Sequence, residues 1–168
     1  MHEQHHLLKN EAATARMAQA IANCVIAGDV VFLEGDLGAG KTTFTRYFAR
    51  ALGVTGRVKS PTYALIESYE LPSNATKIQQ LHHFDLYRLA EPREWFSAGF
   101  DEYLSTAAVV FIEWAEKAAG ALPAPTLVVQ LSHVDEFVSD DELNDSPRQL
   151  TLKVSDEAAG RFLDLHLD

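Results

Sequence analysis

Three glycines, a lysine and two threonines crowd into GDLGAGKTT, from Gly35 to Thr43. Gly35, four residues, then Gly40-Lys41-Thr42 follow the phosphate-loop pattern in full. Gly35, Gly38 and Gly40 can adopt backbone angles closed to other residues, so successive amides turn inward and form an anion nest. Lys41 has the reach for the outer phosphates of a nucleoside triphosphate, and the Thr42 hydroxyl is a hard oxygen donor for Mg²⁺. Thr43, one step deeper, could donate to the inner phosphate. The bland alternative is a glycine-rich turn that binds nothing. A lysine and hydroxyl in register, behind a strand, argue against it.

Binding phosphate is not yet chemistry, and three further groups could supply it. Glu113 follows the apolar run Ala107 to Ile112, where a carboxylate of a P-loop enzyme approaches Mg²⁺ or its water from a neighbouring strand. Its rival reading is a strand-terminal acid facing solvent. Ser60-Pro61-Thr62-Tyr63 lies one helix and one loop after Thr42, where nucleotide switches return a hydroxyl to the γ-phosphate. Thr62 would be the ligand there, with Ser60 supporting the loop; alone, the string is an ordinary turn. In His83-Phe84-Asp85-Leu86-Tyr87-Arg88, strand alternation puts His83, Asp85 and Tyr87 on one face. Asp85 could then meet water or metal, or it could merely pair with Arg88 on a half-exposed strand. The residues alone leave both open.

These groups must be positioned by elements of a parallel α/β sheet. Val30 to Leu33 reads as a short buried strand ahead of the loop, and Thr43 to Leu52 as the helix behind it, stopped at Gly53. Asn10 can cap a first helix running through Val25. Thr62 to Tyr69 and Ile78 to Asp85, parted by the turn-rich Pro72-Ser73-Asn74, predict an antiparallel hairpin. A short helical region covers Glu91 to Ser97, and a turn covers Asp101 to Leu104. Ala107 to Ile112 is continuously apolar, as a central parallel strand should be. Leu127 to Leu131 and Gln149 to Val154 read as two more strands, and Ser155 could cap a last helix. The acidic stretch between those strands, with Asp135, Glu136, Asp140, Asp141, Glu142 and Asp145, matches no calcium loop and reads as a solvated connection.

Composition narrows the partners. At 168 residues, with no repeats and no domain-sized linker, the chain is expected to form one domain. A net charge of −10 opposes direct capture of nucleic acid, which needs a basic surface to release counterions. Cys24 is the single cysteine, so no internal disulfide can form, a reducing compartment is favoured, and a small buried side chain is expected. The first residues lack a cationic start and an apolar core, so no signal peptide is read there, and no apolar run is long enough for a bilayer. A cytoplasmic location is expected. His2, His5 and His6 are read as solvated residues of a fraying end and are given no role.

GDLGAGKTT, VKSPTY, HFDLYRL and IEW, in this order and at these separations, resemble the TsaE (YjeE-type) family of small ATPases in tRNA threonylcarbamoyladenosine biosynthesis. The resemblance extends from the first helix to Trp114. It implies a P-loop NTPase fold, a central mainly parallel sheet flanked by helices with antiparallel edge strands, and ATP and Mg²⁺ binding with slow hydrolysis. Carried onto this sequence, Leu37, Gly38, Ala39, Gly40, Lys41, Thr42 and Thr43 would hold the phosphates. Thr42 and Glu113 would form the metal site, and Asp85, Ser60 and Thr62 with Lys41 the catalytic or switch elements. Trp114 would lie beside the site, and Glu11 and Thr14 would border the nucleotide. The implied partners are TsaB and TsaD, the latter transferring the threonylcarbamoyl group to tRNA, with ATP hydrolysis resetting their complex. The tRNA is then met only through the complex, and the free protein is expected to be a monomer away from membranes.

Rival functions make different demands. A small-molecule kinase needs an arginine-bearing lid; Arg57, Arg88 and Arg93 are present, but no arginine-rich segment is. A regulatory GTPase needs an Asn-Lys-x-Asp string, which is absent. A nucleotide-dependent scaffold with little hydrolysis makes no demand that separates it from a partner-activated ATPase.

Overall fold

The computed structural model describes residues 1–72, 77–105, 107–134 and 146–165. In chain order the elements are β1 (His2–Leu8), α1 (Glu11–Ala22), β2 (Val30–Glu34), α2 (Lys41–Ala51), β3 (Ile66–Glu70), β4 (Gln80–Asp85), α3 (Glu94–Ser97), β5 (Ala108–Glu113), β6 (Leu127–His133), β7 (Arg148–Val154) and α4 (Ala159–Phe162). Two 3₁₀ turns, Phe100–Ser105 and Ala115–Ala118, flank β5. The strands form one sheet in the order β1-β7-β6-β2-β5-β4-β3. Its four central strands, β6, β2, β5 and β4, run parallel, while β3 and the β7–β1 pair add antiparallel edges. This is the expected mixed architecture.

Both faces of the sheet are covered, which is why its central strands are apolar without alternation. Val31, Leu33, Val109 and Phe111 point into a core shared with α1 and α2, where Phe48 packs 4.8 Å from Phe111, ring centre to ring centre. Their neighbours Val30, Val110 and Ile112 point the other way, onto Phe84 and Trp95. Phe44 and Phe48, one turn apart on α2, bury the face of that helix opposite the solvent and seat it on the sheet. The helix that begins at the phosphate loop is thereby fixed in direction.

Several boundaries differ from the sequence reading for definite reasons. Helix α1 is capped by the Asn10 side chain, which accepts from the Ala13 amide at 3.0 Å, but it ends at Ala22 rather than Val25. Cys24 therefore sits in a turn, half-buried rather than buried, with its thiol pushed up by desolvation. The strand expected from Thr62 begins only at Ile66, because Leu65 adopts a left-handed backbone (φ 65°) and its amide closes a turn onto Pro61 O. The N-terminal residues do not fray. They form edge strand β1 along β7, with His5 bonded to Thr151 at 3.0 Å and His2 beside Asp156 at 3.3 Å. The final helix is a single turn from Ala159, preceded by a bend in which Ser155 O accepts from the Ala158 amide. Ser73, Asn74 and the acidic stretch from Asp135 to Asp145 lie outside the described residues.

The turn leaving β2 carries the tightest steric demand. Gly35 has φ 149°, and a Cβ there would lie 2.5 Å from the backbone oxygen of Leu131 on β6. The neighbour is main chain in a parallel sheet and has little room to yield. Gly35→Ala is therefore expected to destabilise the fold by roughly 2 kcal/mol or more, from overpacking and backbone strain together. A urea melt with an unchanged midpoint would show that the turn is looser than its geometry.

Candidate active site

The phosphate loop leaves the end of β2 and feeds α2, so its amides gather where the positive end of the helix macrodipole lies. Gly38 and Gly40 take φ of 79° and 101°, the left-handed values that orient such a nest. Gly40 is the N-cap of α2 and places no side chain over the first helical amides. Lys41 is only 9% exposed, and its Nζ donates to the backbone oxygens of Gly35 and, at 3.1 Å, of Asp36. The ammonium thus sits inside the curl of its own loop.

Parallel pairing supplies the carboxylates. In the β4–β5 register Asp85 stands opposite Glu113, while β5 pairs with β2, the strand that delivers the loop. Two acids and the loop therefore occupy adjacent strand ends, at the carboxyl edge where open α/β sheets bind ligands. Asp85, 5% exposed, accepts from Ser60 Oγ at 2.8 Å and from the Tyr87 amide at 3.1 Å. Thr62 Oγ1 lies 3.4 Å from both Ser60 Oγ and Asp85 Oδ2. The alternative partner, Arg88, instead stacks on Tyr63, with its guanidinium 4.5 Å from the ring centre. Glu113, 4% exposed, is bonded through Oε1 to His83 Nε2 at 3.0 Å.

Directly after Glu113 the chain turns through Trp114, a non-glycine residue in the left-handed region (φ 59°, ψ 42°). Such backbone strain concentrates at functional sites. Here it brings the indole to 5.4 Å from Lys41 Nζ and to 5.0 Å from the Tyr87 ring.

A cavity of about 920 Å³ unites these groups. Its lining includes every residue from Leu37 to Thr43, with Ser60, Thr62, Asp85, Glu113, Trp114, Glu11 and Thr14. Glu11 is held at the rim by the Tyr47 hydroxyl at 2.7 Å and by Arg46 at 3.7 Å. The phenol that donates to it is pushed above its ordinary range by that bond. Arg57, Arg88 and Arg93 are not among the lining residues, so the kinase-type arginines do not converge on the loop.

Tyr87, read from the sequence onto the same face as Asp85, also lines the cavity, as do Arg46, Ser146 and Arg148, which the sequence reading does not single out. Arg148 opens β7 and donates through Nε to Ala39 O at 3.2 Å, bracing the phosphate loop from the far side. A usable signal existed: the first residue of an antiparallel strand lies at the carboxyl edge of its parallel neighbours.

The family profile described as threonylcarbamoyl adenosine biosynthesis protein TsaE matches residues 8–140. The chain belongs to the TsaE family. It is similar to a protein of Haemophilus influenzae named tRNA threonylcarbamoyladenosine biosynthesis protein TsaE, with 44% identity over 107 residues. That alignment covers 64% of this chain and 65% of the relative, slightly under two thirds of the relative's length. A Bacillus subtilis protein of the same name is 38% identical over 127 residues, 76% of each chain. The crystal structure of Bacillus subtilis YdiB superimposes with a TM-score of 0.70 at 31% identity, covering 95% of this chain and 90% of that one. The loop, both carboxylates and Trp114 fall inside the family match, whereas Arg148 lies beyond it. No helix among the described residues is long and apolar enough to cross a membrane.

Proposed function

We propose that the protein is an ATPase serving tRNA threonylcarbamoyladenosine modification, hydrolysing ATP to reset a TsaB–TsaD-type complex between turnovers. The observation that carries this reading is the convergence, in one cavity, of an anion nest, a buried ammonium and two carboxylates on neighbouring strand ends. The loop amides and Lys41 would take the triphosphate oxygens, releasing the ammonium from the carbonyls it now serves. Preorganised donors of this kind stabilise the charge that develops during phosphoryl transfer. Asp85, which accepts from Ser60 and the Tyr87 amide, would orient the attacking water and accept its proton. Thr62 would move with Ser60 as the switch that registers the γ-phosphate.

The donor chemistry suits Mg²⁺. Thr42 and Glu113 offer hard oxygens beside the phosphates, and no group of three His, Cys, Asp or Glu suited to a metal occurs among the described residues. A cation that keeps most of its water and shares phosphate oxygens needs no larger cage. When bound, it would neutralise charge on the β- and γ-phosphates. The acidic chain leaves contact with tRNA to its partners.

The test is phosphate release from ATP, with and without purified TsaB and TsaD. Association and faster release with the pair are expected. Absence of both would remove the partner-coupled reading, and no ATP binding by calorimetry in Mg²⁺ would remove the ATPase itself.

A further inference from the structure

His83 is a buried titratable group on the cavity side of β4 for which this mechanism has no use. It is 1% exposed, its Nε2 lies 3.0 Å from Glu113 Oε1, and its Nδ1 has no hydrogen-bond partner. A buried polar atom left unpaired carries a desolvation cost, so the one bond that the ring does make calls for an explanation. Resting on the reading of Glu113 as a metal-site acid, we propose that His83 is a positioning residue, holding Glu113 Oε1 so that the second oxygen serves the cation.

The geometry supports this role. An ionised carboxylate only accepts, so the contact requires hydrogen on Nε2, which makes the ring the donor and Glu113 Oε1 the acceptor. In the β4–β5 register His83 stands opposite Phe111, two residues before Glu113. Glu113 therefore leans back along its own face of the sheet to meet the ring. The imidazole in turn packs edge-on against Phe111, 6.2 Å between centres, and Phe111 packs on Phe44 and Phe48 of α2. One aromatic cluster thus steadies both the ring that orients Glu113 and the helix that carries Thr42. Metal ligands are commonly fixed by such outer partners, whose loss costs about 10–100-fold in metal affinity.

The test reads Mn²⁺ binding by electron paramagnetic resonance, in the presence of a non-hydrolysable ATP analogue. In His83→Leu the Mn²⁺ concentration for half-saturation is expected to rise about tenfold, with metal-free analogue affinity unchanged within about threefold. His83→Gln, whose amide can donate from the Nε2 position, should restore binding to within about threefold. In a Glu113→Ala background His83→Leu should add nothing. If Glu113→Ala shifts Mn²⁺ binding and His83→Leu does not, the positioning role is wrong and the metal reading stands. If Glu113→Ala shifts nothing, the metal reading itself is wrong. Equal losses in the Leu and Gln variants would mean that His83 only packs. Should the Leu variant not fold, His83→Asn replaces it: the shorter amide should lose binding that Gln keeps, and equal binding would overturn the proposal.

Discussion

Lys41→Ala is expected to lower ATP turnover about a thousandfold, the upper range for removing one preorganised donor from a developing phosphoryl charge. Among the described residues no other cation is so placed: the ammonium is 9% exposed, inside the loop whose backbone oxygens it bonds. Arg148, a second cation that touches the loop, has its Nε committed to Ala39 O and Nη1 to Ser146 and Pro147. It cannot reach the outer phosphates as freely as a lysine at the helix start. Because Lys41 also knits the loop together, the variant's circular dichroism and melting must be recorded beside steady-state phosphate release. Undiminished release from a folded variant would refute the phosphate-site model.

Asp85→Asn should lower turnover about a hundredfold while ATP affinity changes by less than about threefold. A hundredfold corresponds to about 2.7 kcal/mol of transition-state stabilisation. The substitution keeps the shape and removes the charge and the basic oxygen. Ser60→Ala should act more weakly, about fivefold, since the Tyr87 amide still holds the carboxylate from its other oxygen. If instead Ser60→Ala matches Asp85→Asn, the hydroxyl and not the carboxylate meets the water. Equal turnover in Asp85→Asn and the parent protein would remove Asp85 from the chemistry altogether.

What could be read from the chain follows from how local each signal is. The phosphate loop is contiguous, and its glycines declare their backbone angles, so Gly35 to Thr43 was legible residue by residue. The run to Ile112 announced a central strand because covering both faces makes every position apolar, and Glu113 stood out as its polar end. Strand β1 was missed because an edge strand can be almost wholly polar: HEQHHLL gains its order from the β7 ladder, not from its own burial. The overlong strand from Thr62 failed at Leu65, whose left-handed backbone serves a turn that no leucine advertises. Asp85 was ambiguous between meeting water or metal and pairing with Arg88, because its actual partner, Ser60, comes from a loop 25 residues away. Arg148 and the His83–Glu113 contact depend on strand order, which sequence spacing does not contain.

The inward curl of Lys41 has a thermodynamic corollary. An ammonium normally surrenders a tightly held hydration shell before it can grip an anion, and here the carbonyls of Gly35 and Asp36 take the place of part of that shell. On the proposed reading, an arriving triphosphate would exchange one set of oxygens for another and would meet less of that dehydration barrier. Selectivity at this point would then rest on the shape and charge of the incoming oxygens, and less on how readily the cation parts from water.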